Sequence, residues 1–209
     1  MVLLISPHRH HEFSGILDDI YRLRCRVFRD RLNWQVHIQN GMERDGFDAL
    51  RPVWLLLVTA AGSIGGCVRL LPSLGPTMLG EVFSELLDGS AVPAREDIWE
   101  SSRFAVDLDR DTAGPSGLGT ATYELFAAMV EFALAHKLSA IMTVTDVRVE
   151  RILRRARWPL QRLGGARPLG ATTAVAGLLP ISEEVLRQLR AAGRLCGPVL
   201  WQPAWEAVR

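Results

Sequence analysis

Glu100 and Arg103 stand three residues apart in WESSRFAVD, residues 99–107, a stretch whose apolar flanks predict a strand. A carboxylate and a guanidinium at the end of a strand are costly unless they are paired or used. Earlier in the chain, RLRCRVFRDRLNW, residues 22–34, puts Arg24 and Phe28 one helical turn apart, with Trp34 following the helix. Arginine with two aromatics suits a ligand bearing an anionic group and a flat ring, because guanidinium grips carboxylate and aromatic faces stack on bases. An amphipathic helix with a solvated arginine face and a tryptophan lid gives the same pattern. GMERDGFDAL adds Asp45 and Asp48, with Glu43 and Arg44 beside them. Acids this close pair with arginines or hold a cation such as an ammonium or sulfonium. A solvated acidic loop is the plain alternative, and the spacing of a calcium-binding EF-hand is missing. Arg69 lies inside the apolar run CVRLLP. An arginine there is seldom left unpaired, and Asp45, Asp48 and Glu100 are its candidate partners.

These side chains have to be carried by regular elements. Phe13, Ile16, Leu17, Ile20, Leu23 and Val27 recur at helical spacing and predict an amphipathic helix from Ser14 to about residue 32. Residues 33–49 are polar and acid-rich and read as loop. VWLLLVT and CVRLLP, separated by the turn signal AAGSIGG, predict a β-hairpin over 53–71. A short helix is expected over 81–87, then the strand holding Glu100 and Arg103. A long apolar-faced helix over 118–136 follows the Gly-rich GPSGLG. AIMTVTD and TTAVAGLLP predict strands, and 147–156 and 182–192 predict helices. Mixed helices and strands with one antiparallel hairpin indicate an α/β three-layer sandwich around a mixed sheet. One domain is expected over 1–209, with 1–12 as a mobile N-terminal segment.

Composition removes several function classes. With 209 residues, 48% of them apolar, the chain can bury a sizeable core, and a net charge of +1 argues against a general polyanion binder. Lys137 is the sole lysine among 24 basic residues. Cys25, Cys67 and Cys196 lie far apart without metal-ligand spacing, so they read as three free thiols in a reducing compartment and no metal site is expected. VLLIS is too short for a signal peptide, and no run of about 20 apolar residues is present. The expectation is a soluble, cytoplasmic protein with neither membrane nor nucleic acid as partner.

In their order along the chain, R-x-x-x-F-x-x-R-L-x-W, E-x-D-x-x-D, G-x-x-R-L-L-P and E-S-S-R-F carry Arg24, Phe28, Trp34, Asp45, Asp48, Arg69, Glu100 and Arg103. MLGEVFSELL, TVTDVRVERILRRARWPLQRLG and AVAGLLPIS continue the match. Over about residues 20–185 the sequence resembles the LuxI-type acyl-homoserine-lactone synthases of bacterial quorum sensing. The resemblance implies a fold like that of the GNAT acyltransferases. It implies S-adenosylmethionine and an acyl thioester as substrates, the acyl group arriving on acyl carrier protein or coenzyme A. An amide forms on the methionine amine, the lactone closes, and methylthioadenosine leaves. S-adenosylmethionine is then a substrate, and no cofactor is expected. Glu100 is the candidate base for the amine, directly or through a water, with Arg103, Arg69, Asp45 and Asp48 completing the catalytic set. Arg103 or Arg24 would bind the methionine carboxylate, and Phe28 and Trp34 would enclose the adenosine, with Phe104 counted among the same contacts. Two other readings stand beside this one, a coenzyme A-dependent N-acyltransferase that stops before lactonisation and a catalytically dead binding protein.

Thr143 matches a family threonine that lines the acyl pocket and is associated with 3-oxo chains; strand propensity alone also explains it. Met78, Met142 and Leu178 are candidates for the same pocket, although apolar residues are core by default. Arg148, Arg151, Arg154 and Arg155 head an arginine-rich stretch with only Glu150 against it. Such a patch suits an acidic carrier protein or the phosphates of coenzyme A, and a solvated helix face fits as well. GPSGLG reads as a flexible connector, and HRHH at 8–11 as mobile segment more than metal site.

Overall fold

A computed structural model describes residues 1–107, 119–170 and 172–201. VLLI and VWLLLV are apolar on both faces, so both faces have to be covered. Strands β1 (Val2–Ile5), β4 (Val53–Val58), β5 (Ile64–Pro72), β6 (Ile98–Val106), β7 (Ala140–Asp146), β10 (Thr172–Pro180) and β11 (Leu200–Trp201) form one mixed sheet in the order β11-β1-β4-β5-β6-β7-β10. The short β8 (Gln161–Arg162) and β9 (Arg167–Leu169) both pair with β10. The remaining two strands, β2 (Ile38–Gln39) and β3 (Met42–Glu43), make a separate hairpin. All neighbours are antiparallel except β1 with β11 and β6 with β7.

Period-two alternation sorts each strand between two layers. Val53, Leu55 and Leu57 of β4 join Val68 and Leu70 of β5 against α3 (Thr120–Ala135) and α5 (Glu183–Gly193). Trp54, Leu56 and Cys67 face the other way, onto Ile20, Leu23 and Val27 of the helix that opens as α1 (Ser14–Arg24) and continues as a π-helical turn over Cys25–Arg31. A third apolar cluster joins Ile98, Ala140, Met142 and Ala176 to Leu79 of α2 (Met78–Glu81) and to Leu86 and Leu87. The remaining helix, α4 (Val147–Arg155), starts where β7 ends, its first amides held by Asp146.

Three expectations change. Residues 1–12 are not a mobile segment: β1 is buried and paired with β4 along its whole length, and Pro7–Phe13 form a 3-10 turn. An apolar VLLI beside an equally apolar VWLLLV loses more water-exposed surface as a strand than ordering four residues costs. The helix expected at 81–87 is two separate turns, Met78–Glu81 and Ser84–Leu87, the first started by Thr77, whose hydroxyl accepts from the Gly80 amide. The acidic loop contains the β2–β3 hairpin, turned by Asn40 and Gly41 at positive φ. Asn-Gly between short extended segments is the signal for such a turn. GPSGLG lies almost entirely outside the described residues.

Candidate functional site

Arg69 sits on β5 facing α1 and is completely buried. Its Nε donates to Ser102 Oγ at 3.0 Å, its Nη1 to Asp45 and Asp48 at 2.5 and 2.7 Å, and its Nη2 to Asp45 at 3.0 Å. Arg24, also completely buried, donates Nη1 to Asp48 at 2.8 Å and Nε to Glu43, and lies over the rings of Tyr21 and Trp54. The acids are held by their own backbone. Asp45 accepts from the Phe47 amide and Asp48 from the Asp45 amide, a reciprocal cap on the 3-10 turn Gly46–Leu50. Burial alone would raise the Asp45 pKa, but Arg69, Arg103 and Arg24 together hold it below the usual carboxylate value.

Arg103 reaches this cluster through an irregularity in β6. Between β5 and β6, Arg69 pairs with Ser102 but Cys67 pairs with Ala105, so β6 carries one extra residue. Arg103 occupies that bulge at φ +54°. Strict alternation would send Arg103 to the face opposite Glu100 and Ser102; the bulge brings it onto their face. A non-glycine residue there costs of order 1–3 kcal/mol of strain, which is offset by Glu43 and Asp45. Arg103 Nη2 lies 3.1 Å from Glu43 Oε1 and 2.8 Å from Asp45 Oδ2, and its guanidinium is 5.6 Å from the centre of the Phe28 ring. Phe28 in turn stacks on Trp34 at 5.2 Å with 7° between the planes. Phe28 is buried and Trp34 is 39% exposed, so the column of cation and rings ends at solvent.

Glu100 comes from the same face of β6. Both of its oxygens accept from α2, from the amides of Met78 and Leu79, each at 2.8 Å. Burial pushes its pKa up, against those two bonds and Arg69. With Glu43, Asp45 and Asp48 it sets four carboxylates around three arginines, a net charge of −1 when all are ionised. That balance fits a ligand carrying one net positive charge.

Beyond Ser101 and Thr143 the parallel pairing of β6 and β7 stops, while β6 continues to Val106 and β7 to Asp146. The sheet opens between them beside the arginine cluster. Thr143 stands at the fork and donates its hydroxyl proton to Ser101 O at 3.1 Å.

Several expected placements are corrected. Arg24 cannot grip a substrate carboxylate, because it is fully enclosed and bound to Glu43 and Asp48; its place is beneath the site. Phe104 does not join Phe28 and Trp34. The bulge turns it to the α3 face, 5.2 Å from Phe126. Met142 and Thr143 are adjacent on a regular strand and point to opposite faces, so they do not line one wall together. Met142 is buried in the α2-side cluster with Leu79, and Leu178 packs on that cluster. Met78 is also on the α2 side, its sulfur 3.2 Å from Arg69 Nη2 and 3.6 Å from Arg103 Nη1. Arg148, Arg151, Arg154 and Arg155 are exposed on α4, away from the acids, while Glu150 of the same helix is committed to Arg162. Glu43, in sequence a mere neighbour of the acids, is fully buried and bridges Arg24 to Arg103. The Asn-Gly turn that presents it on β3 was the available signal.

The autoinducer synthase family model matches residues 8–189. The chain belongs to the autoinducer synthase family. A probable acyl-homoserine-lactone synthase of Sinorhizobium fredii is 45% identical over 192 residues, covering 91% of this chain and 92% of that protein. The acyl-homoserine-lactone synthase of Agrobacterium fabrum is 43% identical over 192 residues, 90% of each chain. The structure of a CoA-dependent acyl-homoserine lactone synthase, BjaI, with SAM and isopentyl-CoA aligns with a TM-score of 0.87 at 25% identity, over 97% of this chain and 93% of that one. The GNAT-like mixed sheet with helices on both faces is thus the family's fold, and the chain is an acyltransferase of the acyl-homoserine-lactone synthase kind. Among the described residues, no helix is long and apolar enough to cross a membrane.

Proposed function

We propose that the chain acylates the amine of S-adenosylmethionine from an acyl thioester, then closes the homoserine lactone and releases methylthioadenosine as a step in quorum-signal synthesis. The observation that carries the reading is the Nη1 edge of Arg103, which no carboxylate of the cluster is seen to bind among the described residues. Its Nε and Nη2 are taken by Glu43 and Asp45, whereas among the described residues Nη1 has only the weak acceptor Met78 sulfur, and Phe28 with Trp34 flanks it. A carboxylate bonded at Nη1 places the adenosine on the aromatic pair and the sulfonium within the field of the acids.

Chemistry then follows the local charges. Glu100, its pKa raised by burial, takes a proton from the ammonium directly or through a water, and the free amine attacks the thioester carbonyl. Backbone groups of β6 and β7 past the fork no longer bond each other and are available to the thioester oxygen. The thiol leaves, and the methionine carboxylate oxygen then displaces neutral methylthioadenosine from the γ-carbon, a step governed by positioning. S-adenosylmethionine is consumed, so no separate cofactor enters. The α4 arginines, which have no ion pair among the described residues, suit an acidic carrier protein or coenzyme A phosphates. Three free thiols fit a cytoplasmic setting.

The test mixes purified protein with S-adenosylmethionine and a panel of acyl thioesters on both carriers, with mass spectrometry of the products. Acyl-homoserine lactone together with methylthioadenosine is the expected outcome. An acylated amine without methylthioadenosine would mean an N-acyltransferase that stops before lactonisation, and no product with binding intact would mean a binding protein.

A further inference from the structure

Arg103 is the cation this reading needs, and its placement is not self-sufficient. It stands on a bulged residue at positive φ. Burial disfavours its charge, and the neighbouring Arg24 and Arg69 add repulsion. Two carboxylates oppose that repulsion. Asp45 lies 2.8 Å from Nη2 and is shared with Arg69. Glu43 touches both Nε and Nη2 through Oε1, at 3.2 and 3.1 Å, while its Oε2 is anchored on Arg24 Nε. Arg24 is itself fixed by Asp48 and by the rings of Tyr21 and Trp54. A rigid chain of contacts therefore runs from the α1-side core through Arg24 and Glu43 to one edge of Arg103, leaving the Nη1 edge toward Met78 and the aromatic pair.

We propose that Glu43 is the positioning residue for Arg103, holding the guanidinium by its Nε–Nη2 edge so that Nη1 is presented to the substrate carboxylate. The inference rests on the reading above that Arg103 receives the carboxylate of S-adenosylmethionine. Glu43 has no direct contact with substrate in this role. It acts through the orientation and the neutralisation of Arg103, and so matters for ligands with a carboxylate and not for those without one.

Two probes separate these cases. Methylthioadenosine carries the adenosine and thioether alone, and S-adenosylhomocysteine adds the amine and carboxylate. Isothermal titration of both into wild type, Glu43→Gln and Arg103→Met reads the difference. Glu43→Gln replaces the anionic acceptor of Arg24 and Arg103 by a neutral amide. It is expected to weaken S-adenosylhomocysteine about tenfold, in line with the strength of a hydrogen bond to a charged group, with methylthioadenosine within a factor of about two. Unchanged S-adenosylhomocysteine affinity, or equal weakening of both probes, overturns the proposal. If Glu43→Gln does not fold, Glu43→Asp, which keeps the charge and withdraws it by one methylene, is judged by the same two criteria. Arg103→Met tests the premise. If it leaves S-adenosylhomocysteine binding intact, the carboxylate sits elsewhere and the proposal falls with the premise. If it weakens S-adenosylhomocysteine but not methylthioadenosine while the Glu43 variants weaken neither, the premise stands and only the role of Glu43 is overturned.

Discussion

Asp48→Ala tests how strongly the charge cluster supports the fold. One Asp48 oxygen accepts from Arg24 and Arg69 at 2.8 and 2.7 Å, and the other accepts from the Asp45 amide. Both arginines are 0% exposed, so neither can recover the lost bond from bulk water. Arg24 has a further difficulty, since among the described residues its Nη2 already lacks a hydrogen-bond partner and stands 3.8 Å from Asp45. Removing one partner of a buried ion network typically costs about 3–5 kcal/mol. For a domain of this size each kcal/mol moves Tm by about 2–4 °C, so a fall of roughly 10 °C is expected. The assay is thermal and urea unfolding by circular dichroism, with Asp18→Ala as reference. Asp18 pairs with Arg44 at 2.7 Å on the surface, where loss of the pair is worth no more than about 1 kcal/mol. Equal and small shifts in the two variants would refute the argument, because they would mean that the buried arginines are solvated or re-paired at little cost.

Other expectations follow from the same geometry. Glu100→Gln should lower kcat by about 10²–10⁴ with S-adenosylhomocysteine affinity kept, and the wild-type acid limb should lie above the ordinary carboxylate range because burial raises this group; a loss of less than tenfold would remove Glu100 as base. Asp45 has a depressed pKa in the fold, so its contribution to stability is complete above its unfolded value near 4 and disappears as pH falls through the folded one. Urea midpoints between pH 3 and pH 6 should therefore fall more steeply in wild type than in Asp45→Asn, and parallel curves would contradict this. Arg103→Ala should abolish turnover while a cooperative unfolding transition remains, and near-normal rates would misplace the substrate. Reversing charge at Arg151 and Arg154 should raise KM for the acyl donor and flatten its salt dependence, leaving KM for S-adenosylmethionine unchanged; an unaltered donor KM would free α4 from any docking role.

Much of the fold was legible because the responsible patterns are local. VWLLLV and CVRLLP, the turn between them, and the helical spacing from Phe13 to Val27 each report on a few neighbouring residues, and each became the expected element. β1 escaped because four apolar residues at a chain start carry no period; its strand character comes from pairing with β4, about 50 positions away. Glu43 escaped because a lone glutamate after Asn-Gly looks solvated until the hairpin turns it inward.

The sequence determined the family: arginines at 24, 69 and 103, acids at 45, 48 and 100, and aromatics at 28 and 34 stand in an order whose resemblance implied the chemistry. Only the tertiary structure assigned their work. Burial decided that Arg24 and Arg69 brace the acids while Arg103 reaches toward the aromatic pair, since a guanidinium sealed from water and turned onto buried acids cannot meet a ligand. One extra residue in β6 decided that Arg103 shares a face with Glu100 and that Phe104 does not. A strand's side-chain period is two, so a single inserted residue reverses every side chain after it. Whether β6 holds that extra residue depends on its register with β5, three decades of sequence away.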